Sequence, residues 1–114
     1  MTDKTPKLLV DALGAIDAVR DFVSGVSLAQ YLAHNIRRSA VVRQLEILGE
    51  ACSRLVKLEP TWVKTVTNLE LAIDLRNRII HGYESVDDEI VYLTAIDDLE
   101  SLEIDLSRLL GERG

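Results

Sequence analysis

"NLELAIDLRNRIIHGYE", residues 68–84, decides the fold class. Leu69, Ala72, Ile73 and Ile80, joined by Leu75 and Ile79, recur at the three- and four-residue spacing of an amphipathic helix. A half-buried strand would alternate with a period of two, and this stretch does not. Asn68 fits the N-cap of that helix. Glu70 falls in its first turn, where the helix dipole favours a carboxylate. Gly82 is placed to end it as the C′ residue. The polar residues keep unusual company, since Arg76, Asn77, Arg78, His81 and Tyr83 fall within eight positions at the helix end.

The flanking segments read the same way. Pro6 suits a first helical turn, where its missing N–H costs little. Leu9, Leu13, Ile16, Val19 or Arg20, and Val23 follow at helical spacing until Ser24-Gly25. Residues 27–33 read as a short extra helical turn. Asn35 is the candidate cap of a second long helix, unless that helix begins earlier. Its apolar stripe is Val41, Leu45, Leu48, Cys52 and Leu55, and Pro60 stops it. Trp62 lies in a connector and is expected against the bundle. Ser85 reads as the N-cap of the last helix, with Asp87, Asp88 and Glu89 in its first turn. Val86, Ile90, Leu93, Ile96, Leu99, Leu102, Leu106 and Leu109 form its expected stripe. The sequence thus predicts an all-α fold, an antiparallel bundle of four main helices with one short extra turn, over a single domain, 1–114.

Composition supports helices packed on helices. Hydrophobic residues make up 47% of the 114 and aromatics only 4%, so the core is aliphatic. A net charge of −6 argues against charge-driven coating of nucleic acid. The charge is uneven, however. Residues 36–57 carry five bases against Glu46 and Glu50, whereas residues 84–105 carry nine carboxylates and no Lys or Arg. That acidic helix reads as a solvated face or as a docking surface for a basic partner. Cys52 is the only cysteine, which rules out an intrachain disulfide and suits a small core residue. No signal-peptide pattern and no apolar run of ~18 residues is present, so the expectation is a cytoplasmic protein without a membrane span.

The chemistry of the run from Arg76 to Tyr83 can be read from residue types. Asn77 and His81 are four apart and share a helix face, so the amide can orient the imidazole. Arg76 and His81 are five apart, about 140° around a regular helix, and converge only if the chain turns near Gly82. Histidine exchanges protons near neutral pH, and arginine presents a fork of donors that fits phosphate oxygens. Together they suit metal-independent cleavage of an RNA phosphodiester, with His81 moving protons and Arg76 stabilising charge on the phosphorus oxygens. The plainer alternative makes His81 a helix C-cap and pairs Arg76 and Arg78 with Asp74 or the acidic last helix. His34 has no partner at a zinc-like spacing, and no cofactor motif is present. One histidine is half of an acid–base pair, which a symmetric homodimer would complete.

The spacing Arg76-Asn77, three residues, His81, one residue, Tyr83 resembles the Arg-x4-His-x-Tyr signature of the HEPN superfamily, and more narrowly the HepT-like toxins of HepT/MntA pairs. "RNRIIHGYESVDDEIVY" and "AVVRQLEILGEACSRL" (residues 40–55) are similar to that family's blocks, as is a tryptophan soon after a proline. The resemblance implies a dimeric helical bundle and a metal-independent ribonuclease toxin of a type VII-like toxin–antitoxin system, with Arg76 and His81 catalytic. Asn77 and Arg78 would support the RNA phosphate. It also implies a minimal nucleotidyltransferase antitoxin of the MNT type that transfers AMP to Tyr83. A different reading keeps the dimer as a non-catalytic binding module for that nucleotidyltransferase, with the arginine and histidine structural.

Overall fold

The structure, a computed structural model, describes residues 3–82 and 86–113. Its elements are α1 (Thr5–Val23), α2 (Leu28–Ala33), α3 (Asn35–Leu58), α4 (Trp62–Thr65), α5 (Leu69–His81), α6 (Asp88–Leu93), a π-helical segment (Thr94–Asp98) and α7 (Leu99–Arg113). No strand occurs among the described residues. The expected all-α bundle is therefore present, built on the long helices α1, α3, α5 and α7. α3 is the central element, packed mainly against α1 and α5, while α1 also packs on α7. One cluster of buried aliphatic side chains joins all four, and Trp62 adds its ring from α4.

The stripe read for the second long helix is correct throughout, since Val41, Leu45, Leu48, Cys52 and Leu55 are all buried. In α1 the inward residue is Val19. Arg20 instead points outward and pairs with Glu103 of α7 at 2.8 Å. The short turn after Gly25 is α2. It opens on a capping box in which Ser27 and Gln30 each bond the other's backbone N–H.

Several caps differ from expectation. His34, not Asn35, caps α3, because its Nδ1 accepts from the Arg37 N–H at 3.1 Å. Asn68 occupies the N-cap position of α5 but in the left-handed region (φ 64°), and its side chain makes no cap bond. Its amide donates instead to the Asp98 carbonyl at the end of the π segment, at 2.9 Å. Gly82 does not adopt the left-handed conformation of a C′ glycine. Its backbone is extended (φ 169°), and its N–H returns to the Arg78 carbonyl. Asp87 caps α6 through the N–H groups of Glu89 and Ile90. The position read as that cap, Ser85, lies outside the described residues, as does Tyr83.

Two apolar faces agree with expectation only in part. Ile80 is exposed, and Leu69, Ala72, Leu75 and Ile79 form the buried face of α5. In the last helical run Ile90, Leu93 and Ile96 face outward, while Val91, Ala95, Leu99, Leu102, Leu106 and Leu109 are buried. Three-residue steps fall about 60° short of a full turn. The wider π turn at Thr94–Asp98 increases that shortfall, and residues four apart (Val91, Ala95, Leu99) hold the inward face there.

Part of the acidic stretch is paired with other elements of the chain at the surface. Asp88 pairs with Arg38 at 3.6 Å, Glu103 with Arg20, and Asp105 accepts the Thr67 backbone N–H at 2.8 Å. That hydrogen bond holds the Asp105 carboxyl below its ordinary range. No described helix is long and apolar enough to cross a membrane.

Candidate active site

α5 carries four of the five residues singled out above, and α3 determines how one of them stands. The two helices approach closely at Gly49. A Cβ built there would lie 2.1 Å from the Arg76 Cβ and 2.8 Å from the Ala72 carbonyl oxygen. A glycine inside a long helix costs about 1 kcal/mol relative to alanine. Here it is what lets the stem of Arg76 lie directly on the α3 backbone.

The guanidinium of Arg76 is then engaged twice. Its Nη2 meets Glu50 Oε2 at 2.9 Å, and its Nη1 donates to Asn77 Oδ1 at 3.0 Å. Glu50 is itself held from the other side, because Arg54 Nε donates to its Oε1 at 2.9 Å. The hydrogen bond from Arg54, assisted by the charge of Arg76, keeps the Glu50 carboxyl below its ordinary range against a smaller desolvation effect. The pairing of Arg76 with Asp74 or with the acidic last helix, considered above, is not what forms. The partner is Glu50 on α3.

Arg76 and Glu50 line one groove of about 710 Å³, together with Asp11 and Gly14 of α1 and Arg43 and Gln44 of α3. The groove is open and mixed in charge. His81 is not among its lining residues. α5 stays helical through His81, so no turn before Gly82 brings the imidazole round to Arg76, and the two remain about 140° apart on the helix. His81 is exposed in the last turn. Asn77 shares its face and turns its carbonyl to Arg76, and among the described residues it makes no orienting bond to the imidazole. Arg78 is exposed on the same last turn. The structure thus brings together Arg76 and Asn77, adds Glu50, Gly49 and Arg54, and leaves His81 apart within one chain. Glu50 was not anticipated as a site residue. The signal available was the Gly49-Glu50 pair in the middle of a helix.

Among the described residues, other groups suggest no competing centre. Burial pushes the Cys52 thiol up to about 12, so it stays protonated and inert. Tyr31 is buried against Tyr92, with ring centroids 5.4 Å apart, and its phenol is likewise raised to about 12 by burial. No group of three or more His, Cys, Asp or Glu placed to hold a metal ion occurs among the described residues.

Fold and site together define a class: an all-α bundle whose third long helix presents a buttressed arginine and an exposed terminal histidine. The chain belongs to the ribonuclease HepT-like family, whose model matches residues 12–109. It is similar to "Probable ribonuclease HepT" of Thermococcus cleftensis, 28% identical over 83% of this chain and 86% of that protein. It is similar also to a "Putative RNase" of Caldanaerobacter subterraneus subsp. tengcongensis, 30% identical over 94% of this chain and 96% of the relative. Another protein of that name, from Methanocaldococcus jannaschii, is 26% identical over 91% of this chain and 89% of its own length. No solved structure matches the chain.

Proposed function

We propose that this protein is a metal-independent endoribonuclease toxin that acts as a homodimer. His81 moves protons and Arg76 neutralises charge on the scissile phosphate. The 2′-hydroxyl loses its proton to a base and its oxygen bonds to phosphorus. The bond from phosphorus to the 5′-oxygen breaks, and that oxygen leaves with a proton. The products are a 2′,3′-cyclic phosphate and a 5′-hydroxyl, so no water is consumed. Two proton carriers suit this reaction, and each chain offers one in this motif. A second copy related by a two-fold axis near α5 would contribute the other. Asn77 and Arg78 would assist in holding the RNA phosphate.

The observation that carries this reading is the contrast on α5. Arg76 is half-buried and held in a groove, while His81 stands exposed at the end of the same helix. Membership of a ribonuclease-named family supports it. In the same proposal a partner nucleotidyltransferase antitoxin of the MNT type transfers AMP from ATP to the hydroxyl of Tyr83, releasing pyrophosphate. The added phosphate would repel RNA from the nearby cations.

The test is RNA cleavage by purified protein in EDTA. Cleavage should persist and should fall roughly 10²–10⁴-fold in His81→Ala and in Arg76→Ala. Incubation with the partner, ATP and magnesium should add AMP to the wild type and silence it, but not to Tyr83→Phe. Loss of cleavage with chelator, or full activity in both alanine variants, sinks the mechanism. One observation favours the other reading, a non-catalytic module that holds the nucleotidyltransferase: Arg76 is already neutralised by Glu50. In that case both alanine variants keep partner binding, and the wild type cuts no RNA.

A further inference from the structure

We infer that Glu50 is a positioning residue of this site: it acts through Arg76 by fixing the orientation of the guanidinium before RNA arrives. The inference rests on the ribonuclease reading and extends it to a residue outside the Arg76–Tyr83 motif.

Three contacts converge on one side chain. Gly49 lets the Arg76 stem lie against the α3 backbone, which sets where the side chain starts. Glu50 Oε2 forms an ion pair with Nη2 and Asn77 Oδ1 accepts from Nη1, which sets where it ends. An arginine has five N–H donors in a rigid fork. The bond to Asn77 occupies one of them and the Glu50 carboxylate holds the guanidinium by charge, so donors remain for phosphate oxygens. An arginine free at both ends would lose side-chain entropy on meeting the phosphate, and one already held loses less.

Glu50 is suited to this because both of its oxygens are used. Oε1 is taken by Arg54 on its own helix and Oε2 by Arg76 across the helix interface. The carboxylate therefore cannot swing away without breaking the Arg54 hydrogen bond and the Arg76 ion pair, and the same two neighbours hold its pKa below the ordinary range. Glutamine cannot replace it. Its single carbonyl can serve only one arginine, and its amide would meet the donors of the other.

The experiment has two readouts. Side-chain NMR of the Arg76 Nε–Hε group, assigned by its loss in Arg76→Lys, reports the ordering directly. The signal should show restricted motion in the wild type and become mobile in Glu50→Ala and Glu50→Gln. It should not change in Arg20→Ala, which removes a different inter-helix ion pair. In cleavage assays both Glu50 variants should lose kcat by roughly tenfold to a hundredfold, the scale expected from misplacing a catalytic group. Their KM should change little and their Tm should stay close to wild type.

The inference is overturned if Arg76 is mobile in the wild type, or equally ordered without Glu50. It is also overturned if the Glu50 variants cut RNA faster or with lower KM, since Glu50 would then be a competitor for the phosphate. If the wild type cuts no RNA, the ribonuclease reading fails by itself, and the NMR arm still decides whether Glu50 orders Arg76.

Discussion

At the scale of single residues, the site depends on an atom that is missing. Gly49 has no Cβ, and α5 has moved into the space one would fill. The nearest obstacles are the Arg76 Cβ and the Ala72 carbonyl, both anchored to the α5 backbone, so a flexible side-chain tip cannot give way. Gly49→Ala should therefore push the two helices apart. Overpacking costs about 1–3 kcal/mol, offset by about 1 kcal/mol of improved helix propensity. A lower Tm by calorimetry is expected, with cleavage reduced more than stability because Arg76 moves with α5. A rise in Tm would show that the close approach is not there. That Arg76 and His81 share the end of one helix was legible in the sequence because helical spacing is local. The pairing of Arg76 with Glu50 was not. It spans two helices, and ion pairs across a tertiary interface leave no fixed spacing to read.

At the scale of elements, periodicity worked where helices are regular. The stripe of α3 could be named residue by residue because all of it obeys a 3.6-residue turn. The last helical run departs from its expected stripe only before Leu99, because its apolar residues there offer two stripes and the π segment selects between them. Its turn is wider, and the Asp98 carbonyl at its end is taken by Asn68, the residue expected to cap α5. One long-range bond thus accounts for one missed cap and helps hold one partly misjudged face. The two stripes are separable by mutation. Leu99→Ala, at a buried position, should cost about 2–5 kcal/mol in urea unfolding. Ile96→Ala, just before it on the outward face, should cost well under 1 kcal/mol, as exposed substitutions do. Equal costs would mean that the π segment does not set the register.

At the scale of the whole molecule, the question is how an acidic chain with one motif histidine could carry out a two-proton reaction on an anionic polymer. The net charge is −6, and the groove that holds Arg76 mixes arginines with Asp11, Glu46 and Glu50. Little long-range attraction is available, so catalysis must depend on a few well-placed cations. Within one chain Arg76 and His81 diverge around α5, so on the proposed mechanism the working site needs both copies. That requirement has a quantitative signature. Wild type and His81→Ala, mixed in equal amounts, unfolded together and refolded, should assort at random into dimers. If the groove needs both histidines, only the roughly one quarter of dimers with two wild-type chains remain active. If each chain works alone, roughly half of the activity remains. Cleavage measured across a series of mixing ratios should therefore follow the square of the wild-type fraction. A straight line through the same series, with dimers confirmed by light scattering, would show that His81 of one chain suffices and that the two-histidine site is wrong.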